Sequence, residues 1–395
     1  MKSVYLKPNK EVSVKRYHPW IYSGAIHDFK NLNIDDGELV KVFDNKNNFL
    51  GIGFFSKSPI AVKLISLEET EINKSFWIKK LKRAIDYRKR LNLFDLSHSN
   101  AFRLIYGESD EIPGLIIDYY NGVLVVQCHN LFVYKNLHNI IEALIETLPL
   151  PIKAIYNKSK NTVPIKYKNE INDSFIFGNY NKYVEILENN NKFIVDIVDG
   201  QKTGFYLDQK ENRLLFSRYV KNKNILNLFS YTGSFSIYAE ILGESKSCIN
   251  VDCSAKALEI AELNSKLNNC NNIKNIKSRV DKFLKNLNEK FDVIILDPPA
   301  FAKNIKEKKD ALKGYCRINK LTLDACKNGS IVFSFSCTQV ISLEEFKQAI
   351  FIAATRAKKN IKILHTLTQS PDHPISIYCP ETNYLKGLVL YVSDM

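Results

Sequence analysis

The residues best placed to do chemistry stand where short apolar runs end in the second half of the chain. FDVIIL runs into Asp297-Pro298-Pro299-Ala300-Phe301. Two prolines after a buried strand cannot continue a ladder, so the backbone leaves the sheet rigidly and holds the Asp297 carboxylate at its edge, a geometry suited to gripping a planar base. Enzymes that methylate exocyclic amino groups often carry an aromatic residue directly after the two prolines. Here Ala300 intervenes, which disfavours that chemistry. SIVFSFS ends in Ser336-Cys337-Thr338, a thiol at the tip of the neighbouring strand. C5 of a pyrimidine is a poor nucleophile, and an enzyme can activate it by first adding a thiolate to C6. Cys337 has that character, and a buried structural thiol is the competing reading.

Two further strand ends suggest what such a base would react with. ILNLF passes through Ser230-Tyr231-Thr232-Gly233-Ser234 directly into a helix. With a single glycine, this is not the GxGxxG turn that admits a dinucleotide pyrophosphate. SCINV ends in Asp252, the position from which a carboxylate accepts hydrogen bonds from both hydroxyls of a ribose. Ribose without pyrophosphate points to S-adenosylmethionine. A helix cap for SAKALEIAEL, from Asp252 or Ser254, explains the same residues structurally, and Asp281 after the third strand carries the same two readings. His18 and His373 each precede a proline in loop-like contexts and read as structural. HExxH, GxSxG and GxxxxGK[ST] are absent, so zinc hydrolases, serine hydrolases and P-loop enzymes lack their signatures.

The elements that must hold these residues fall into three stretches. Residues 1–71 alternate in short segments (SVYLK, ELVKVFD, FLGIGFF, IAVKLIS) and read as a small β-rich domain. Residues 72–187 open with an amphipathic helix carrying Trp77, Leu81 and Ile85 under a basic outer face, and continue as a central α/β domain. From 188 to 395, apolar runs alternate with helices expected near 234–242, 255–268, 281–289 and 343–358. Such alternation implies an α/β fold with a parallel sheet covered on both faces, whose ligands sit beyond the carboxyl ends of the strands.

The 395 residues allow two or three domains, and 45% hydrophobic with 25% charged residues exclude wholesale disorder. No apolar run reaches membrane-spanning length and the start of the chain has no signal-peptide core, which places the protein in the cytoplasm. Eight cysteines without a CxxC or a Cys/His cluster fit neither a disulfide framework nor a zinc site, so no metal is expected. Lys plus Arg is 56 against 42 for Asp plus Glu, a net +14 that suits a polyanionic partner such as nucleic acid. The Lys-rich stretch 303–313 adds to that expectation.

The ordered set KTGFYLDQKENR, NLFSYTGSFS, VDCSAKAL, LDPPAF, FSFSCT and YLKG, with RYHPWIYSGAI and RLIYGESDEIPGLIID earlier, resembles the bacterial 23S ribosomal RNA large-subunit cytosine-C5 methyltransferases that carry a PUA domain. The resemblance spans nearly the whole chain. It implies a PUA-like RNA-binding domain over 1–71, the central domain over 72–187, and a class I Rossmann-like methyltransferase domain over 188–395 that uses S-adenosylmethionine. By position, Tyr206 and Asp208 would border the methionine end of the cofactor, Phe229, Ser230, Tyr231 and Gly233 would form its turn, and Asn227 would also bind it. Asp252 would hold the ribose, and Asp281 would lie near the adenine. Asp297 would contact both cofactor and target base, and Cys337 would be the nucleophile. Pro298, Pro299, Phe301 and Lys303 would face the substrate, although the family often has a lysine where this chain has Ala300. The implied partner is 23S ribosomal RNA or a large-subunit precursor, with no membrane and with a homodimer among the assemblies allowed. The rival activity is guanine-N7 methylation, which needs no cysteine, and the rival class is a non-catalytic PUA-containing RNA-binding or assembly factor.

Overall fold

The computed structural model describes residues 1–395, which divide into two compact units. The first comprises Met1–Val184, Asp196–Phe205 and Pro371–Thr382, and the second Glu185–Val195, Tyr206–Ser370 and Asn383–Met395. No helix is long and apolar enough to cross a membrane.

The first unit holds two five-stranded sheets. Lys2–Tyr5, Leu39–Phe43, Phe49–Phe55, Ile60–Ser66 and Trp20–Tyr22 lie side by side in that order, and their alternation buries Val4, Val40, Val42 and Val62 in one core. The second sheet runs from Ala101–Tyr106 through Leu115–Tyr120, Val123–Cys128 and Ala154–Asn157 to Ser174–Gly178. The helix Lys74–Arg90 starts at Asn73, whose side chain accepts the Phe76 N–H, and its stripe Trp77, Leu81, Ile85 packs on Phe102, Leu104 and Leu124. Its basic face is partly paired, since Lys80 and Arg83 both reach Glu111.

Two segments from beyond residue 188 are tied into this unit by buried charge. Arg88 donates to the Asp372 carbonyl at 2.9 Å, and the Asp372 carboxylate accepts the Arg103 N–H at 2.8 Å. Arg103 in turn forks onto Asp118 with two 2.8 Å bonds, and Thr203 donates to the same carboxylate. His373 is buried with its ring on Asp372. The fold also gathers His18, Cys379 and Glu381 so that their ligand atoms lie within 4.8 Å of one another, a grouping invisible in the local spacing of the sequence.

The second unit is built on a seven-stranded sheet, whose strands are numbered here in chain order: β1 Asn224–Leu228, β2 Ser247–Asp252, β3 Ile273–Lys277, β4 Phe291–Leu296, β5 Cys326–Ser336, β6 Lys359–Leu367 and β7 Lys386–Asp394. Their order is β3-β2-β1-β4-β5-β7-β6. The helices are α1 Lys210–Phe216, α2 Ser234–Ile241, α3 Ala255–Leu267, α4 Val280–Lys285, α5 Lys308–Asp324 and α6 Leu343–Ala357. The expected parallel sheet is corrected to a mixed one, because β7 runs antiparallel to both β5 and β6. β6 and β7 have no crossover helix between them, and without one a parallel pairing cannot form. Helix α5, unanticipated within the Lys-rich stretch, buries Ala311, Tyr315, Ile318 and Leu323. β1 lies at the topological switch, with β2 and β4 on its two sides, so the ends of β1, β2, β4 and β5 share one edge.

Candidate active site

The turn after β1 is strained. Phe229 and Tyr231 both take left-handed backbone angles, with φ of 59° and 48°, and Gly233 follows at 76°. A non-glycine residue pays about 1–2 kcal/mol for that conformation, so two in three residues require firm support. The Ser230 N–H donates to the Val251 carbonyl at 3.2 Å, and the Tyr231 N–H to the Asp252 carboxylate at 3.0 Å. The same carboxylate accepts the Ser254 N–H at 2.8 Å, while Ser254 itself caps α3 by accepting from Ala257. Asp252 therefore binds the two loops at the sheet edge, and the capping role belongs to Ser254. Gly233 is required twice over, by its φ and by space: a Cβ there would stand 3.0 Å from Asn250 Nδ2 and 3.2 Å from Ala261 Cβ.

Around this turn several buried polar atoms have no partner in the protein. Ser230 Oγ, Thr232 Oγ1 and Asp208 Oδ1 are all in this state. Buried polar groups are normally satisfied, and three such atoms at the carboxyl edge of a doubly wound sheet suit a polar ligand. Asn227, by contrast, spends its amide in the core, donating to Ser236 Oγ at 3.1 Å and Asn250 Oδ1 at 3.0 Å. Its side chain braces β1 against β2 and takes no part in the turn.

A second layer of residues closes over the edge from the segment before α1. The Tyr206 ring meets Tyr231 edge-on, with centroids 5.3 Å apart, and burial raises its hydroxyl pKa, with Asp297, Tyr231, Asp208 and Cys337 adding to the rise. Asp208 accepts a hydrogen bond from the Tyr384 hydroxyl. Gln209 donates to Asp297 Oδ2 at 2.9 Å and accepts from Asn212 at 2.6 Å. Buried Arg213 anchors the segment, donating to the Tyr206 carbonyl at 3.0 Å and forking onto buried Glu188 at 2.7 and 2.8 Å. Asp297 is half-buried at the centre. Burial first, then the neighbouring Asp208 charge, raise its carboxyl from 3.8 to about 7, against the Gln209 hydrogen bond that favours the carboxylate.

Cys337 stands on the other side of Asp297. Its Sγ lies 3.7 Å from the Pro298 carbonyl, so the thiol and the Asp-Pro-Pro loop share one site. Thr338 locks that loop, accepting the Phe301 N–H at 3.1 Å and sharing a 2.7 Å bond with the Tyr315 hydroxyl, while the Phe301 and Tyr315 rings pack 4.6 Å apart. Pro299 and Ala300 are exposed beside it. Lys303 is exposed too, its backbone N–H bound to Glu307. Asp281 opens α4, where its carboxylate forks onto exposed Arg279, whose hydrogen bond lowers its pKa. Gln209 and Tyr384 are contributors the sequence reading left unassigned. Both lie inside segments that carried the resemblance, so their signal was the motif itself and no property of the single residue.

The sheet order and the one-glycine turn at its switch point are those of a class I S-adenosylmethionine-dependent methyltransferase. The family profile of S-adenosylmethionine-dependent methyltransferases matches residues 103–340, and that of PUA-like domains matches residues 4–67. Ribosomal RNA large subunit methyltransferase I of Alteromonas mediterranea is 37% identical over 398 residues, covering 99% of both chains, and that of Tolumonas auensis is 37% identical over 397 residues, covering 98% of both. The chain belongs to this ribosomal RNA large subunit methyltransferase I family, and S-adenosylmethionine is its cofactor. The fold is shared with a SAM-dependent methyltransferase from Streptococcus mutans, at a TM-score of 0.85 and 24% identity over 99% of this chain and 100% of that one. A methyltransferase solved with S-adenosylhomocysteine aligns at a TM-score of 0.86, also at 24% identity and over 99% and 100% of the two chains.

Proposed function

We propose that the protein methylates C5 of a cytosine in 23S ribosomal RNA through a covalent bond between Cys337 and C6 of the base. The observation that carries this reading is the Cys337 thiol 3.7 Å from the Pro298 carbonyl, beside the Asp297 carboxyl. Neither amino nor N7 methylation needs a thiol there. The name of the relatives supports the RNA substrate, and the net charge of +14 suits it.

The cofactor's place is the strained turn. Ser230, Tyr231, Thr232 and Gly233 would hold it with Asp252 on its ribose and Asp281 on the adenine side. Tyr206 and Asp208 would stand at the methionine end, where Asp208 Oδ1 and the two turn hydroxyls gain the partners they lack. Bound there, the cofactor supplies an electrophilic methyl group on a sulfonium.

The chain's own residues prepare the base. C5 faces the major groove of a duplex, so the nucleotide is flipped out of its stack, to lie against Pro298, Pro299 and Phe301 with Lys303 at the rim. The Cys337 thiolate adds to C6, and the C5–C6 π electrons move to C5. Asp297, poised near neutrality, can in its protonated form donate to N3, which draws electron density from C6 and favours the thiolate's addition, while an accepted hydrogen bond from the exocyclic amine would only orient the base. After C5 is methylated its proton passes to water, the C–H electron pair re-forms the C5–C6 double bond and the C6–S pair leaves with the thiolate. Nucleoside mass spectrometry on ribosomal RNA from a deletion strain tests this. Loss of one 5-methylcytosine is expected, whereas loss of 7-methylguanosine would replace the reading with guanine-N7 methylation, and an unchanged nucleoside profile would leave an RNA-binding or assembly factor.

A further inference from the structure

Lys386 has no part in the chemistry described so far, although it lies within the YLKG segment. It opens β7 directly opposite Ser336 of β5, the residue before Cys337. Its side chain is 6% exposed, and its Nζ makes one hydrogen bond, donating to the Thr338 carbonyl at 2.7 Å. It has no carboxylate partner. A buried ammonium of this kind is costly unless it meets an anion, because burial removes water and a single neutral carbonyl does not replace it. The desolvation is felt, since the Lys386 pKa is pushed down to about 8, and the one charged group that opposes the drop is Cys337.

We propose that Lys386 is the charge partner of Cys337, holding the thiol as a thiolate before the base arrives. The inference rests on the cysteine-adduct reading above and supplies the activation that reading requires. A thiol of ordinary pKa near 8.5 is only a few per cent ionised at neutral pH, and an adjacent lysine lowers that value. The other titratable groups around Cys337 work the opposite way. Tyr206 from the segment before α1, Asp297 after β4 and Tyr315 from α5 are neutral or anionic, and Tyr206 and Tyr315 are themselves pushed up in part by Cys337. Lys386, paired with Ser336 across the sheet and bonded to the Thr338 carbonyl, places a cation on the two residues that flank the thiol. The Cys337 proton is lost to solvent, Lys386 keeps its own three protons through the cycle, and the thiolate expelled at the end returns to the same ammonium. Lys386 is a positioning residue on this account, acting on the base only through Cys337.

Iodoacetamide labelling of the full-length protein between pH 5.5 and 9.5, read peptide by peptide, tests the pairing without RNA or cofactor. Exposed Cys253 serves as the internal reference thiol. In the wild type, the Cys337 labelling midpoint is expected at least about one pH unit below that of Cys253. Lys386→Met should raise it by about one unit, slowing Cys337 labelling at pH 7 roughly tenfold while the Cys253 profile stays unchanged, and Lys386→Arg should restore most of the reactivity. A wild-type Cys337 midpoint at or above that of Cys253 would overturn the proposal even if the variants fail to fold, and so would a Lys386→Met midpoint equal to the wild type's. Because the assay involves no substrate, it is independent of which nucleoside the enzyme makes.

Discussion

Replacing Asp297 by Asn should stabilise the second unit at alkaline pH while abolishing turnover. The amide is isosteric, and its oxygen can still accept the Gln209 bond now made at 2.9 Å. What it removes is a carboxyl whose pKa in the folded protein is about 7 against 3.8 for the free group. A raised carboxyl binds more protons folded than unfolded, so stability falls as pH rises from the unfolded value to the folded one, and the whole penalty is present above pH 7. Three units at 1.36 kcal/mol each is about 4 kcal/mol, and partial access of solvent to Asp297 brings the expected gain to roughly 2–4 kcal/mol at pH 8, with little at pH 4. Trp20 and Trp77 both lie in the first unit and would not report it. Urea unfolding followed by amide exchange in the β1 and β4 peptides reads the second unit directly. Equal stability of Asp297→Asn and wild type at pH 8 would refute the reasoning, because Asp297 would then titrate as an ordinary carboxylate.

Asp252→Ala should weaken S-adenosylmethionine binding about ten- to a hundredfold, from lost charge-assisted bonds of about 1.5–3 kcal/mol, and calorimetry on the folded variant decides it. Unchanged affinity would leave Asp252 only its bonds to Tyr231 and Ser254. Arg213→Met strands the buried Glu188 charge and should cost about 3–5 kcal/mol in urea unfolding of the second unit, a loss that a substitution of both partners would largely recover. Lys306, in the turn before α5, and Lys309, in its first turn, are exposed, and reversing both to Glu should weaken ribosomal RNA binding and flatten its log–log salt dependence by about 1.4, or 0.7 for each single-strand phosphate contact. An unchanged salt slope would remove this stretch from the RNA surface.

The placement of the candidate residues was legible in the sequence wherever a strand end carried it. Asp252, Asp297 and Cys337 each follow an apolar run closely, so strand-end logic brings them to one edge without any knowledge of tertiary contacts. Lys386 was not legible in that way. Its place beside Cys337 depends on the antiparallel β5–β7 pairing, and GLVLYV looks the same from sequence whichever way it runs. Helix α5 was hidden by its lysines, although Ala311, Tyr315 and Ile318 mark a helical stripe beneath them. The direction of the Asn227 amide was not legible from its neighbours: it lies near the end of the strand that leads into the turn, and the alternation of side chains along β1 turns it inward to Ser236. The Arg88 and Arg103 network also escaped notice, because its partner Asp372 is some 270 positions away in the chain.

The central claim is that Cys337 bonds to C6 of the target cytosine, and it can be tested by trapping that bond. With 5-fluorocytosine at the target position, fluorine replaces the proton that must leave, so the adduct persists after methyl transfer. Incubating the wild-type protein with fluorinated ribosomal RNA and S-adenosylmethionine should give an RNA-linked protein band whose cross-linked peptide contains Cys337. Cys337→Ala should lose both band and turnover while still binding the cofactor. Normal 5-methylcytosine formation by Cys337→Ala, or a cross-link at any other residue, would contradict it.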